Sequence, residues 1–181
     1  RHKRMFLGYT LAMFNDSFLE GVPAAGMAWA IADHPKYCDW GRGNRSDGRQ
    51  KEFGSIEINP DAARKVHAAI RKLRFEGRKL RLGKGVALYG FSRGSTAASL
   101  AIGDAPHKEW TKAADGLSGK GSSKIQAALL GPGVFDYAAM SESSREYKNM
   151  STYCSSASDA KAAWEQQGGI YGIKRRSVPC F

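Results

Sequence analysis

Residues 90–94, Gly-Phe-Ser-Arg-Gly, place one serine between two glycines in the pattern G-x-S-x-G. A serine in such a turn can act as a nucleophile toward an ester carbonyl, provided a base takes its proton. The outer positions must be small, because side chains in so tight a turn would collide with neighbouring backbone. With 21 glycines in 181 residues the pattern alone is weak. Its context is what counts: "VALYGF" (86–91) reads as a strand and "RGSTAASLAIG" (93–103) as a helix of small residues. Ser92 is then expected at the helix N-terminus, where backbone N–H groups and the positive end of the helix dipole favour a developing oxyanion. The N–H of Arg93, the residue after the serine, is the expected oxyanion donor. The plain alternative is a glycine-rich strand-to-helix turn that holds a phosphate on the same N–H groups.

The surrounding elements alternate. "MFLGYTLAMF" (5–14) reads as a buried strand running into a loop at "NDS", and "VPAAGMAWAIADH" (22–34) as a short apolar helix. Residues 35–55 are rich in glycine and charge and read as a long surface loop. "NPDAARKVHAAIRKLR" (59–74) is the clearest helix: Asn59 caps it, Pro60 suits its first turn and Asp61 complements its dipole. Ala62, Val66, Ala69, Ile70 and Leu73 give it one buried face, and Gly77 is expected to follow its end. "GVALYGF" is expected as a fully buried strand, followed by the small-residue helix, the strand "KIQAALLG", the helix "SDAKAAWEQQGG" and the strand "SVPCF". That order predicts one α/β domain spanning residues 1–181, with a mostly parallel sheet and helices on both faces.

"VALYGFSRGSTAASLAIG" resembles the nucleophile-elbow segment of the α/β-hydrolase superfamily, its serine esterase and lipase branches above all. The resemblance spans about residues 5–140, and the elbow is its only specific motif. It implies a carboxylic ester as substrate, an acyl-enzyme on Ser92, Gly90 and Gly94 as elbow glycines, and no metal or organic cofactor. It also implies a chain order of serine, acid, histidine. Asp136 stands where some members carry the acid. His107 is the single histidine after Ser92, and a ten-residue helix carries it roughly 15 Å away, out of reach. His2, His34 and His67 precede the serine, and His67 is expected at the surface or its boundary. No HGGG-type oxyanion motif precedes the elbow. The expectation is a truncated hydrolase core whose histidine, and with it the main acid, belongs to a missing C-terminal segment or a partner chain. Residues 137–170 occupy the interval that often holds a cap in this superfamily; the other reading is a polar surface excursion.

The net charge of +11 opens a different class of function, binding to nucleic acid or another anionic surface. Arg64, Lys65, Arg71, Lys72, Arg74, Arg78, Lys79, Arg81 and Lys84 face only Glu76. The same charges are what the solvated face of an amphipathic helix requires, and no aromatic platform or nucleic-acid motif accompanies them. Nucleic acid is therefore not the expected partner. A hydrolase-like scaffold without catalysis is the remaining alternative. Cys38, Cys154 and Cys180 match no metal-ligand spacing. No apolar run reaches the roughly 20 residues of a membrane span. Arg1 rather than Met stands first, so the gene product is expected to begin upstream.

Overall fold

The computed structural model describes residues 16–32, 62–83, 85–103, 122–153, 164–165 and 168–173. The chain forms two compact units, Arg1–Asp33 and His34–Phe181. Helix α1 of the first unit spans Asp16–Ala24, so it begins inside the expected "NDS" loop and stops where the apolar helix was expected to run. Gly26 is the reason. It takes a left-handed φ of 74°, and the Met27 and Gly26 N–H groups fold back onto the carbonyls of Val22 and Pro23 at 3.2 and 2.9 Å. These two bonds satisfy the last carbonyls and end the helix. Residues 27–32 then form no regular element, and Met27 and Trp29 are exposed.

In the second unit α2 spans Ala63–Leu80, eighteen residues, and runs straight through Gly77. Leu82 folds back on that glycine: its N–H donates to the Gly77 carbonyl at 2.8 Å, and a Cβ at Gly77 would sit 3.3 Å from the Leu82 Cβ. Gly77 is thus the seat of the closing residue, and Arg81 takes the left-handed position itself at φ 56°. Ala62, Val66 and Ile70 are buried as the periodicity predicts. The expectation fails for two polar residues on the same helix. His67 is 1% and Arg71 0% exposed. Arg71 therefore does not belong to the solvated basic face, and His67 is no surface residue.

Strands β1 (Ala87–Gly90) and β2 (Ala127–Leu130) pair in parallel, with Ala87 opposite Ala127 and Gly90 opposite Leu130. Between them in sequence lies α3, Arg93–Ile102, which packs against both strands and against α2. The result is a mixed α/β arrangement, a small two-strand parallel sheet on helices. Every residue from Ser95 to Ile102 is buried, a burial that small side chains permit. Its hydroxyls are all engaged: Ser95 Oγ donates to the Gly131 carbonyl (2.9 Å), Thr96 Oγ1 to Val134 (2.7 Å) and Ser99 Oγ to Thr96 (2.7 Å). The strands are not fully buried as expected. Leu88, Ala128 and Leu130 face the core, while Tyr89 and Leu129, opposite each other in the register, are 44% and 50% exposed.

Helix α4 spans Arg145–Tyr153, and a 3-10 turn, η1, spans Gly169–Tyr171. The interval 137–170 contributes to the core: Tyr137 and Trp164 are buried in it, and Tyr147 meets Trp164 edge-on at 5.0 Å. Of the expected helix "SDAKAAWEQQGG", Trp164 and Glu165 are helical. The expected strands at 5–14 and "SVPCF", the loop 35–55, the caps Asn59 to Asp61 and the three cysteines lie outside the described residues. Among the described residues no helix is long and apolar enough to cross a membrane.

Candidate active site

Leaving β1, the chain reverses within three residues. Gly90 is packed so tightly on the start of α3 that a Cβ there would lie 2.5 Å from the Gly94 carbonyl oxygen and 2.6 Å from the Ser95 Cα. Those are backbone atoms, so glycine is obligatory at this position. Ser92 follows with φ 54° and ψ −124°. That region disfavours any residue with a side chain and costs on the order of 1–3 kcal/mol. The strain is held from both sides. The Ser92 N–H donates to the Pro132 carbonyl at 2.6 Å, and its own carbonyl accepts from the Ser95 N–H at 3.0 Å. A second glycine loop after β2 closes on the first: a Cβ at Gly133 would sit 2.7 Å from the Ser92 carbonyl oxygen. A serine at a helix start ordinarily turns its hydroxyl onto the helix as a cap. Ser92 makes no such bond, and the residue is exposed.

Ser92 opens on a cleft of about 300 Å³ lined by Phe91, Arg93, Thr96, Val134, Tyr137, Arg145 and Glu146, with Pro132 and Gly133 at its edge. Helices α3 and α4 both begin at this cleft, and both begin with arginine. Ser144 caps α4 by accepting the Tyr147 N–H at 3.1 Å. That cap fixes Glu146 in the first turn, where its carboxylate meets Arg93 at 3.4 Å and Arg145 at 3.1 Å. Burial pushes the Tyr137 hydroxyl above its ordinary range, and the Glu146 charge adds to this. The Thr96 hydroxyl and Arg93 act in the opposite direction.

Of the residues expected in the site, Ser92, Arg93, Gly90 and Gly94 come together as the turn requires. Asp136 has other work. One of its oxygens accepts the N–H groups of Ala138 (3.0 Å) and Ala139 (3.1 Å) and the hydroxyl of Tyr171 (2.8 Å). It closes a turn after β2 and ties η1 to it, and it is not among the residues lining the cleft. The bond to Asp136 drives the Tyr171 hydroxyl up to about 12, since ionising it would set two negative charges against each other. His67 lies at the other end of α3: its Nε2–H donates to the Ala101 carbonyl at 2.9 Å, roughly 13 Å along the helix from Ser92. His2, His34 and His107 fall outside the described residues.

Arg145, Glu146 and the Gly131-Pro132-Gly133 loop were not anticipated. The "GPG" triplet and the Ser-x-x-Glu pattern at 143–146 were the signals available for two of them. On the basic helix, Arg74 clamps the segment entering β2: it donates to the carbonyls of Ser122 and, at 2.6 Å, Lys124. Arg71 and Arg74 therefore serve packing, and neutralising them would test folding rather than a binding surface. Among the described residues no group of three His, Cys, Asp or Glu side chains could hold a metal ion. No protein-family model, curated protein or solved structure matches this chain.

Proposed function

We propose that the protein is a serine hydrolase of the esterase or lipase kind, acting on a small carboxylic ester through an α/β-hydrolase-like core. The observation that carries this reading is the backbone of Ser92: a non-glycine residue held at positive φ, on a sharp strand-to-helix turn, with its side chain exposed at a cleft. Strain of this kind persists only where the surroundings over-determine it, and it concentrates where function needs a side chain presented. The Ser92 Oγ attacks the ester carbonyl as its proton passes to a base, the tetrahedral oxyanion forms beside the Arg93 N–H, and collapse expels the alcohol. Water then attacks the acyl-Ser92 ester, releasing the acid and restoring the hydroxyl. Phe91, Val134 and Tyr137 supply the apolar wall for a short acyl chain. His67, the single histidine among the described residues, is remote from Ser92, so the base of this mechanism is not among them, and no cofactor takes part.

Covalent labelling by a fluorophosphonate, read by intact mass with Ser92→Ala as control, tests the reading. A single adduct on the wild-type chain and none on the variant would show that Ser92 is activated and that its base lies within this chain or its oligomer. An adduct that persists in Ser92→Ala, or none on a folded wild-type sample, would overturn catalysis by this chain. The second of these results would favour the non-catalytic scaffold, a reading supported by the distance of His67 from the turn.

A further inference from the structure

We infer that the ester taken by the Ser92 cleft carries a carboxylate, and that Arg145 binds it. The inference rests on the proposed ester chemistry for the ester half of the ligand and on the cleft itself for the charged half. Among the described residues two guanidinium groups, Arg93 and Arg145, and one carboxylate, Glu146, line the cleft, one positive charge in excess. The two arginines are differently committed. Arg93 sits against Glu146 in the partly buried wall, both side chains at 30% exposure or less. Arg145 is 83% exposed; its Nη2 and Nε meet one Glu146 oxygen at 3.1 and 3.2 Å, and the exposed guanidinium is the one a ligand entering the cleft can reach. The first turn of α4 lies beside it and adds positive potential.

The size of the excess decides between anions. A single carboxylate matches it, whereas a phosphate dianion would add a second charge facing Glu146. A cleft of about 300 Å³ lies at the small end of ligand pockets, which limits the substrate to a short chain between ester and carboxylate. The apolar stretch formed by Phe91, Pro132 and Val134 fits that short spacer.

Monomethyl succinate and dimethyl succinate are the probes. They share an ester and a spacer and differ in one charge. Binding is measured by ligand-observed NMR on the Ser92→Ala variant, so that no turnover intervenes. Monomethyl succinate is expected to bind about tenfold tighter, the size of one charge-assisted contact, with the preference shrinking in high salt. Arg145→Gln should abolish the preference, and Lys65→Gln, which removes the same charge from the exposed face of α2, should keep it. Equal binding of the two esters, binding of neither, or a preference that survives Arg145→Gln would overturn the inference. Arg145 is exposed enough that its replacement leaves the fold intact, as a cooperative melt would verify. The measurement needs no nucleophile, so its outcome and the fluorophosphonate outcome fail independently.

Discussion

At one end of α3 stands Ser92, exposed, at positive φ, its hydroxyl without a bond to the helix it begins. At the other end His67 is buried and gives its Nε2–H to the Ala101 carbonyl, while Gly103 approaches Gly172 so closely that a Cβ would lie 2.9 Å from its carbonyl oxygen. Both ends depend on glycines and on polar atoms, yet the polar atoms are used in opposite ways. The closed end turns them inward, where the His67 Nε2–H and the Ala101 carbonyl are paired with each other. The open end leaves a hydroxyl unused and accepts backbone strain to do so. A helix with the second arrangement at one end needs the first at the other, because α3 must be held firmly enough for the strain at Ser92 to persist.

The largest predicted effect falls on the glycine that permits the open end. Gly90→Ala places a methyl group inside contact distance of the Gly94 and Ser95 backbone, which cannot rotate away. A loss of about 3 kcal/mol or more is expected, which lowers the melting temperature by about 6–12 °C in a chain of this length. A cooperative melt at wild-type temperature would mean that the turn is looser than this geometry. At the closed end His67→Ala removes a buried ring and orphans the Ala101 carbonyl, with an expected loss of about 2–4 kcal/mol by urea denaturation. That variant should weaken α3 without changing the Ser92 turn directly. Any labelling of Ser92 that survives in its folded fraction would therefore separate scaffold from site.

Ser92 itself sharpens the contrast through the sign of its effects. Ser92→Gly removes both the hydroxyl and the steric objection to positive φ, so labelling should vanish while stability rises by about 1 kcal/mol. Ser92→Ala keeps the Cβ and the strain, so it should lose labelling with no such gain. Chemical denaturation of the pair tests this. If both variants are equally stable, the backbone of Ser92 is not strained, and the principal support for a presented nucleophile falls.

The open end was the more legible of the two in the sequence. Strand, glycine, serine, glycine and small-residue helix are consecutive, so the turn follows from local packing limits, and α3 occupies the residues expected of it. The cleft was not legible, because Arg145 and Glu146 come from more than fifty residues further along and meet Arg93 only through the tertiary fold. Periodicity found Val66 and Ile70 but passed over His67 and Arg71, since a charged or polar type at a core position is a contact-level fact. Gly77 illustrates the opposite error. Its type suggested a helix end, and its actual use is room for Leu82 one turn before the end. Asp136 was placed by its order in the chain, and the order holds no information about the three donors that occupy its carboxylate.

The smallest predicted effect concerns that carboxylate and appears only at high pH. Tyr171 donates its hydroxyl to Asp136, and its ionisation is driven up to about 12 in the folded chain, against about 10 for an unfolded tyrosine. A raised folded value means that the contribution is complete below pH 10 and disappears as the pH climbs from 10 to 12. Wild type should therefore be slightly more stable than Tyr171→Phe at neutral pH, and the two should converge above pH 12. The ultraviolet titration of tyrosinate should show one late-ionising group in the folded wild type that Tyr171→Phe lacks. Early ionisation would mean that Asp136 is not held by η1. Its carboxylate would then be free to turn toward another donor, which is the condition an acid partner of a catalytic histidine would have to meet.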